Sequence, residues 1–388
     1  MRRAHLTVPA LLVAGLLPAA ASSSAKATSI LSERGVITEI SADGSRVAAV
    51  EGATNACFKI VAWNTATKKT VRFNTGVNCP ADEGAMNEVP GIALAGTRVA
   101  WIEGVGGNDL ELSVHSRVLG ARKSAMVSAF TSNGNGAGEQ PDGGYVENVV
   151  GHGGLLVYNS WSVCSAVPAG ESAEDSLATC AQPAPADKEI LIYSDQQLEK
   201  VVGNRSVVIR SAPDAQAPYS YNVGRITAQQ TLAAVAVDAG RVAVQAPSGA
   251  VTLLSATGVV LKQIAVPAGT FSGTALQGSQ LVTLRNGSLE VYNVASGSLT
   301  KTIPLAAGSS KPVLRDLKDG LAVYVRGLAV HVVRLSNGKN LTITVPGAGP
   351  VDAQIESTGL YYSYNLPKAT NQGRIVFLPF ADLLTKLG

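Results

Sequence analysis

One short wording recurs seven times along the chain, and no other feature limits so narrowly what the chain can fold into. It reads Ile-Ser-Ala-Asp-Gly-Ser-Arg-Val-Ala at 40–48 and Ala-Leu-Ala-Gly-Thr-Arg-Val-Ala-Trp at 93–101. It returns as Val-Val-Gly-His-Gly-Gly-Leu-Leu-Val-Tyr at 149–158 and Ala-Val-Asp-Ala-Gly-Arg-Val-Ala-Val at 236–244. Looser copies follow at 275–282, 316–324 and 354–362. Each copy is an apolar run, a tight Gly-containing turn and a second apolar run. That is the signature of a β-hairpin. Downstream of each hairpin lies a third apolar run, and in most units a Ser/Asn/Gly/Thr turn and a fourth. In the third unit the third strand is expected at 189–193.

Four antiparallel strands repeated seven times predict an all-β fold, a seven-bladed β-propeller of four-stranded blades. Radial repetition leaves only short, protected sheet edges. The last turn glycines, Gly240, Gly278, Gly320 and Gly359, are 38, 42 and 39 residues apart. A bare blade needs roughly 40–45 residues. The first three spacings, between Gly44, Gly96, Gly154 and Gly240, are 52, 58 and 86, so those units carry insertions. A β-sandwich would not require seven copies of one turn. Two segments compete to close the ring: 27–31, ahead of the first unit, and 381–387, after the last.

The composition fits this reading. Charged residues are 15%, aromatics 5%, and 40 of 388 residues are Gly. Arg2 and Arg3 followed by apolar 6–17 and then small residues predict a secretory signal over 1–27, with the propeller over 28–388. The apolar stretch is too short to span a bilayer, and no later stretch reaches the length a transmembrane helix needs. A secreted or periplasmic protein is expected, without a membrane span in the mature chain. The formal charge of +3 falls to +1 without Arg2 and Arg3, and no Lys/Arg cluster is present, which argues against nucleic acid as a partner. Four cysteines in an exported chain predict disulfides, Cys57 with Cys79 and Cys164 with Cys180, each closing a local excursion.

The turn at Ser41-Ala42-Asp43-Gly44-Ser45-Arg46-Val47-Ala48 resembles the Ser-Pro-Asp-Gly-x-x-Ile-Ala repeat of TolB-type, WD40-like propellers, with Ala42 where that family usually has Pro. Asp-Gly is kept at 43–44 and 319–320. The resemblance implies the fold, an envelope or secreted setting and protein partners. It transfers no active site.

Connector lengths point to one face. In an up-and-down blade the first–second and third–fourth turns share one end, and the other connectors share the opposite end. The long segments, 74–88, 103–109, 129–144, 160–188, 203–225 and 365–373, are all of the second kind. Long loops on a rigid scaffold are where binding residues concentrate. Candidate binding residues are Asp109, Glu139, Asp142, Tyr145, Trp161, Tyr219, Tyr221 and Arg225. Asn133, Asn135, Glu139 and Asp142 offer oxygen ligands, but their spacing does not fit an EF-hand loop. Trp63 and Trp101 fall inside strands and are expected to pack between blades.

Nothing local points to catalysis. Beyond the signal, the histidines are His115, His152 and His331. No nucleophile elbow, His-Glu-x-x-His or P-loop is present. The expectation is therefore a monomeric, non-enzymatic interaction module with no cofactor or metal, contacting a protein or glycan. The alternative is a carbohydrate- or lactone-active enzyme with carboxylates in the central funnel. The inner strands read mostly Ile, Ala, Val and Leu, with Glu39, Glu147 and Asp352 as exceptions.

Overall fold

A computed structural model describes residues 28–52, 57–75, 86–106, 109–133, 143–166, 191–218, 233–246, 248–367 and 372–388. These residues form a seven-bladed β-propeller of four-stranded antiparallel blades. The inner strands of blades 1 to 7 are Val36–Asp43, Met86–Ala95, Gly143–His152, Ala233–Asp238, Phe271–Gln277, Val313–Lys318 and Ala348–Glu356. Each runs directly into the second strand of its blade through a two-residue turn. In blades 1 and 2 the first turn residue, Gly44 or Gly96, takes a positive φ of 61°. In blade 4 both turn residues do, Ala239 at 48° and Gly240 at 74°. This is why the glycine slips by one place between copies of the repeat.

Ser29–Glu33 closes the ring by pairing antiparallel with Gly373–Pro379, so the first strand among the described residues is the outer strand of blade 7. The rival segment at the other terminus is a helix, Phe380–Leu387. Its buried Leu383 and Leu387 join the apolar cluster between blades 6 and 7. Pro379 opens that helix, where its missing N–H costs nothing.

Blade 3 departs from the sequence-based boundaries. Its second strand runs through Leu155–Ala166, its third through Leu191–Val202 and its fourth through Arg205–Pro218. Strand pairing therefore covers 160–166 and 205–218, which read as loop. The third strand begins near the expected 189–193 and continues well past it. Ser, Asn and Gln residues along these strands mimic turn composition, while the real turn is Gly203–Asn204. In blade 2, strand pairing likewise takes in 103–106 and Asp109 of the expected loop 103–109, 86–88 of the expected loop 74–88, and 129–133 of the expected loop 129–144. Blades 2 and 3 join into one eight-stranded sheet through a single pairing, Gly143 with Ser132.

The core consists of seven apolar wedges among the described residues, one between each pair of neighbouring blades. A blade packed on both sides buries both faces of its second strand, so Val47, Ala48, Ala49 and Val50 are all inaccessible. Such a strand reads as a continuous apolar run rather than an alternating one. Near the axis the wedges narrow. Small residues fill them, among them Ala42, Ala93, Ala234, Ala275 and Ala353. Trp101 lies between blades 1 and 2 and Trp63 between blades 7 and 1, as their strand positions predict.

Candidate functional site

Inner strands are sheet edges. Their outward N–H groups would stay unpaired unless another group meets them. Here the preceding blade supplies the acceptor. Ser41 Oγ accepts from Leu94 N at 2.8 Å, Asp238 Oδ2 from Gly278 N at 2.8 Å, and Asp316 Oδ2 from Ile355 N at 2.9 Å. Across the ring closure, Asp352 Oδ2 accepts from Ile40 N at 3.0 Å and Gln354 Oε1 from Ala42 N. These side chains tie blade to blade, and Ser41, Asp316 and Gln354 among them also line the channel.

The channel half nearest the two-residue turns holds a cavity of about 170 Å³. Its wall is divided. Blades 2 to 5 contribute mainly apolar residues such as Ile92, Val149, Val235 and Leu276, while blades 6, 7 and 1 contribute Arg315, Asp316, Gln354, Glu356 and Glu39. His152 of blade 3 faces that polar side. Burial pushes the Glu39 carboxyl up to about 8, with the Asp352 charge adding to it against Arg315 and the Ile92 N–H. Burial, then the charge of Glu356, pushes Asp316 up to about 7 despite N–H donors from Ile355 and Leu317. Arg315 Nε stands 3.2 Å from Asp352 Oδ1, and Lys318 Nζ stands 3.3 Å from Glu356 Oε2. Hydrogen bonding to Glu356 raises His152 above its ordinary value although burial opposes it.

Sequence reasoning names Glu39, Glu147 and Asp352 on the inner strands, of which Glu39 lines the cavity, but misses Asp43, Arg315, Asp316, Lys318 and Glu356. Asp43, Lys318 and Glu356 end their inner strands, where polar residues read as turn, while Arg315 and Asp316 lie within theirs. The one available signal is register: Asp43, Ala95, His152, Asp238, Gln277, Lys318 and Glu356 each pair with the first residue of the next strand. They therefore form one ring at one mouth of the channel.

At the opposite end the strand order gathers the longer connectors, as their lengths predict. Tyr145 and Trp161 are paired across the first two strands of blade 3 beside this end. Their rings stack with centroids 4.4 Å apart and 17° between planes. Trp161 is only partly buried, yet its indole Nε1 is shielded from solvent and has no hydrogen-bond partner among the described residues. Asp109 opens the third strand of blade 2. Its side chain, and all of Glu139, Asp142, Tyr219, Tyr221 and Arg225, lie outside the described residues, as do Cys79 and Cys180. Of the eight candidate binding residues, the structure thus brings two together, Tyr145 and Trp161.

No family model matches the chain, and no curated protein does. Similar solved structures include the computationally designed Ika8 protein (11% identity, 89% of this chain and 97% of that one, TM-score 0.45). They also include BamB from Moraxella catarrhalis (11%, 92% and 99%, TM-score 0.46). A third is Sqt1 from Saccharomyces cerevisiae (9%, 89% and 97%, TM-score 0.44). At this similarity none carries a functional argument. The class, a seven-bladed propeller, rests on the strand pairing of the chain itself. No helix among the described residues is long and apolar enough to cross a membrane.

Proposed function

We propose that the protein is an exported, monomeric, non-catalytic interaction module that contacts a protein or glycan partner with the long-connector end of blades 1 to 4. The observation that carries this reading is the Tyr145–Trp161 stack beside that end. Paired aromatics on rigid strands lose little entropy on binding and serve as anchors. Trp161 is only partly buried, so its ring offers aromatic surface to an incoming group. Disulfides Cys57–Cys79 and Cys164–Cys180 belong to the same proposal and would pre-order two of the connectors. Peptide mapping without reductant tests them. Sequencing the N-terminus of protein recovered from the extracytoplasmic fraction tests export.

The deciding experiment is affinity capture from the source envelope and medium with three baits: mature protein, a Trp161→Ala variant, and a variant with residues 168–189 replaced by a short Gly-Ser linker. A partner held by the first and lost by both variants supports the reading. A partner held equally by all three rules out this end as the contact surface. The second reading, a carbohydrate- or lactone-active enzyme, is favoured by Glu39 and Asp316, two carboxyls held near the neutral range in one cavity. It requires turnover that Asp316→Asn abolishes.

A further inference from the structure

The ring at the turn-end mouth follows a rule that some of its members break. Asp43 accepts from Gly96 N, Asp238 from Gly278 N, and Gln277 from Asp319 N at 3.2 Å. At these positions the last residue of an inner strand fastens the turn of the next blade. Ala95 has no side-chain acceptor. His152, Lys318 and Glu356 turn to one another across the channel instead. The fastening from blade 7 to blade 1 at this level has passed to Thr358 and Tyr361, which both donate to the Gly44 carbonyl, at 2.6 and 3.0 Å. Glu356 is thereby released from the structural task. Because Ala95 is small, Asp43 reaches past blade 2 to accept from Gly153 N at 2.9 Å, next to His152.

We propose that Asp43, His152 and Glu356 form a binding site for a first-row divalent cation, with Zn²⁺ as the probe ion. One donor atom from each residue lies within 4.8 Å of the others. His152 Nε2 is 3.5 Å from Glu356 Oε1 and 3.9 Å from Asp43 Oδ1. The Glu356 contact is a long hydrogen bond and the Asp43 contact lies beyond one, since N–H···O bonds usually run to about 3.2 Å. Both separations are close to the roughly 3.4 Å between two ligands held tetrahedrally around one ion by bonds of about 2.1 Å.

A second observation concerns the imidazole itself. It presents Nε2 to both carboxylates, while its Nδ1 is buried without a hydrogen-bond partner among the described residues. The carboxylates are also pre-oriented. Two backbone N–H groups hold Asp43 Oδ2, which leaves Oδ1 toward the histidine. Lys318 holds Glu356 Oε2, which leaves Oε1 toward it. Outer contacts of this kind orient metal ligands. One imidazole nitrogen with two carboxylates suits Zn²⁺ and its first-row neighbours. Ca²⁺ and Mg²⁺ favour all-oxygen sets. With three protein ligands, a fourth position would remain open, as it does in sites that take water or a small ligand. The ion would also tie together blades 1, 3 and 7.

The test is equilibrium dialysis of the mature, oxidised protein against ZnCl₂, with metal content and Tm measured on the folded fraction. One Zn²⁺ per chain and a Tm that rises with Zn²⁺ are expected. His152→Gln and Glu356→Gln should each weaken binding by about 10-fold or more. His331→Gln, in blade 6 and away from the cluster, should leave it unchanged. Lys318→Met should tighten it, because the ammonium competes with the ion for Glu356. Absence of bound Zn²⁺ at millimolar concentration would overturn the proposal. So would binding that survives His152→Gln. If that variant does not fold, Lys318→Met decides: tighter binding supports the site, and unchanged or weaker binding overturns it. The site lies at the opposite end from the proposed partner surface, so each idea can fail without the other.

Discussion

The seam between blades 7 and 1 and the seam between blades 2 and 3 do the same mechanical job with different chemistry. Blades 2 and 3 are joined by chain, by the single strand pairing of Gly143 with Ser132 and by a bond from Arg98 to the Gly203 carbonyl, and their interface is mainly an apolar wedge that includes Ile102, Leu112, Val114, Val149 and Tyr158. Blades 7 and 1 come from opposite ends of the chain. Their apolar wedge is crossed by directional bonds between residues more than 300 positions apart. Asn365 accepts from Ile37 N at 2.7 Å and donates to Ile37 O at 2.9 Å. Asp352, Gln354, Thr358 and Tyr361 add further bonds to blade 1, and Arg72 forms a two-pronged ion pair with Glu33 of the closing strand. Apolar packing is non-directional and does not by itself choose a partner. Where connectivity already chooses the neighbour, single ties such as Ser41 to Leu94 N or Asp316 to Ile355 N supplement the packing. Where the ring must find its own end, fixed donors and acceptors select the register.

The sharpest break in this comparison is removal of 28–33. It strips the outer strand from blade 7 and exposes the edge of Gly373–Pro379. Loss of cooperative thermal unfolding, or aggregation, is expected, read by calorimetry and size-exclusion chromatography. A chain that unfolds like the parent would mean the seam does not depend on its closing strand.

Next in size are the buried aromatics. Trp101 is inaccessible, stacks against His115, meets Phe73 at a tilt of 53°, and donates to Glu103 Oε1 at 2.6 Å. Trp101→Ala should cost about 3–5 kcal/mol by urea denaturation. Trp161→Ala should cost much less and should act on binding instead. Equal losses would remove the distinction between a packing and a contact tryptophan.

The polar half of the channel predicts a pH effect. Glu39 titrates near 8 in the folded chain and near its ordinary 4.5 when unfolded. The folded state therefore holds that proton more tightly. Its contribution is fully present below about 4.5 and is lost as pH rises through about 8. Glu39→Gln keeps the acceptor for Ile92 N and removes the charge. It should flatten the fall in stability between about pH 5 and pH 9, an effect of up to a few kcal/mol. Parallel Tm curves for the two proteins would contradict the buried-acid reading.

Asn365→Ala should cost about 1–3 kcal/mol, since it leaves a buried N–H and carbonyl of Ile37 unpaired. Arg72→Ala, at a half-exposed side chain, should cost less than about 1 kcal/mol in the same assay. If Arg72 outweighs Asn365, the seam is held at its rim and not at its interior.

How much of the molecule is legible in its sequence can be followed residue by residue. The turn at 43–46 and its copies give blade number, strand direction and the end where long connectors gather, because all three follow from local periodicity. Trp63 and Trp101 read correctly as packing residues for the same reason. Blade 3 reads wrongly at 160–166 and 205–218, where Ser160, Ser162 and Gln216 sit within strands. Their polar side chains imitate turn composition, and long-range pairing overrides it.

The ring of Asp43, His152, Lys318 and Glu356 is out of reach in a different way. Each residue is ordinary at a strand end, and each comes from a different blade. What the sequence determined by itself is the repeat: hairpins of fixed hand, small residues toward the axis, and seven wedges to bury. Tertiary structure alone decided which terminus closes the ring and which strand-end side chains face one another across the channel. Those outcomes depend on pairings between residues hundreds of positions apart, and local chain energetics do not encode them.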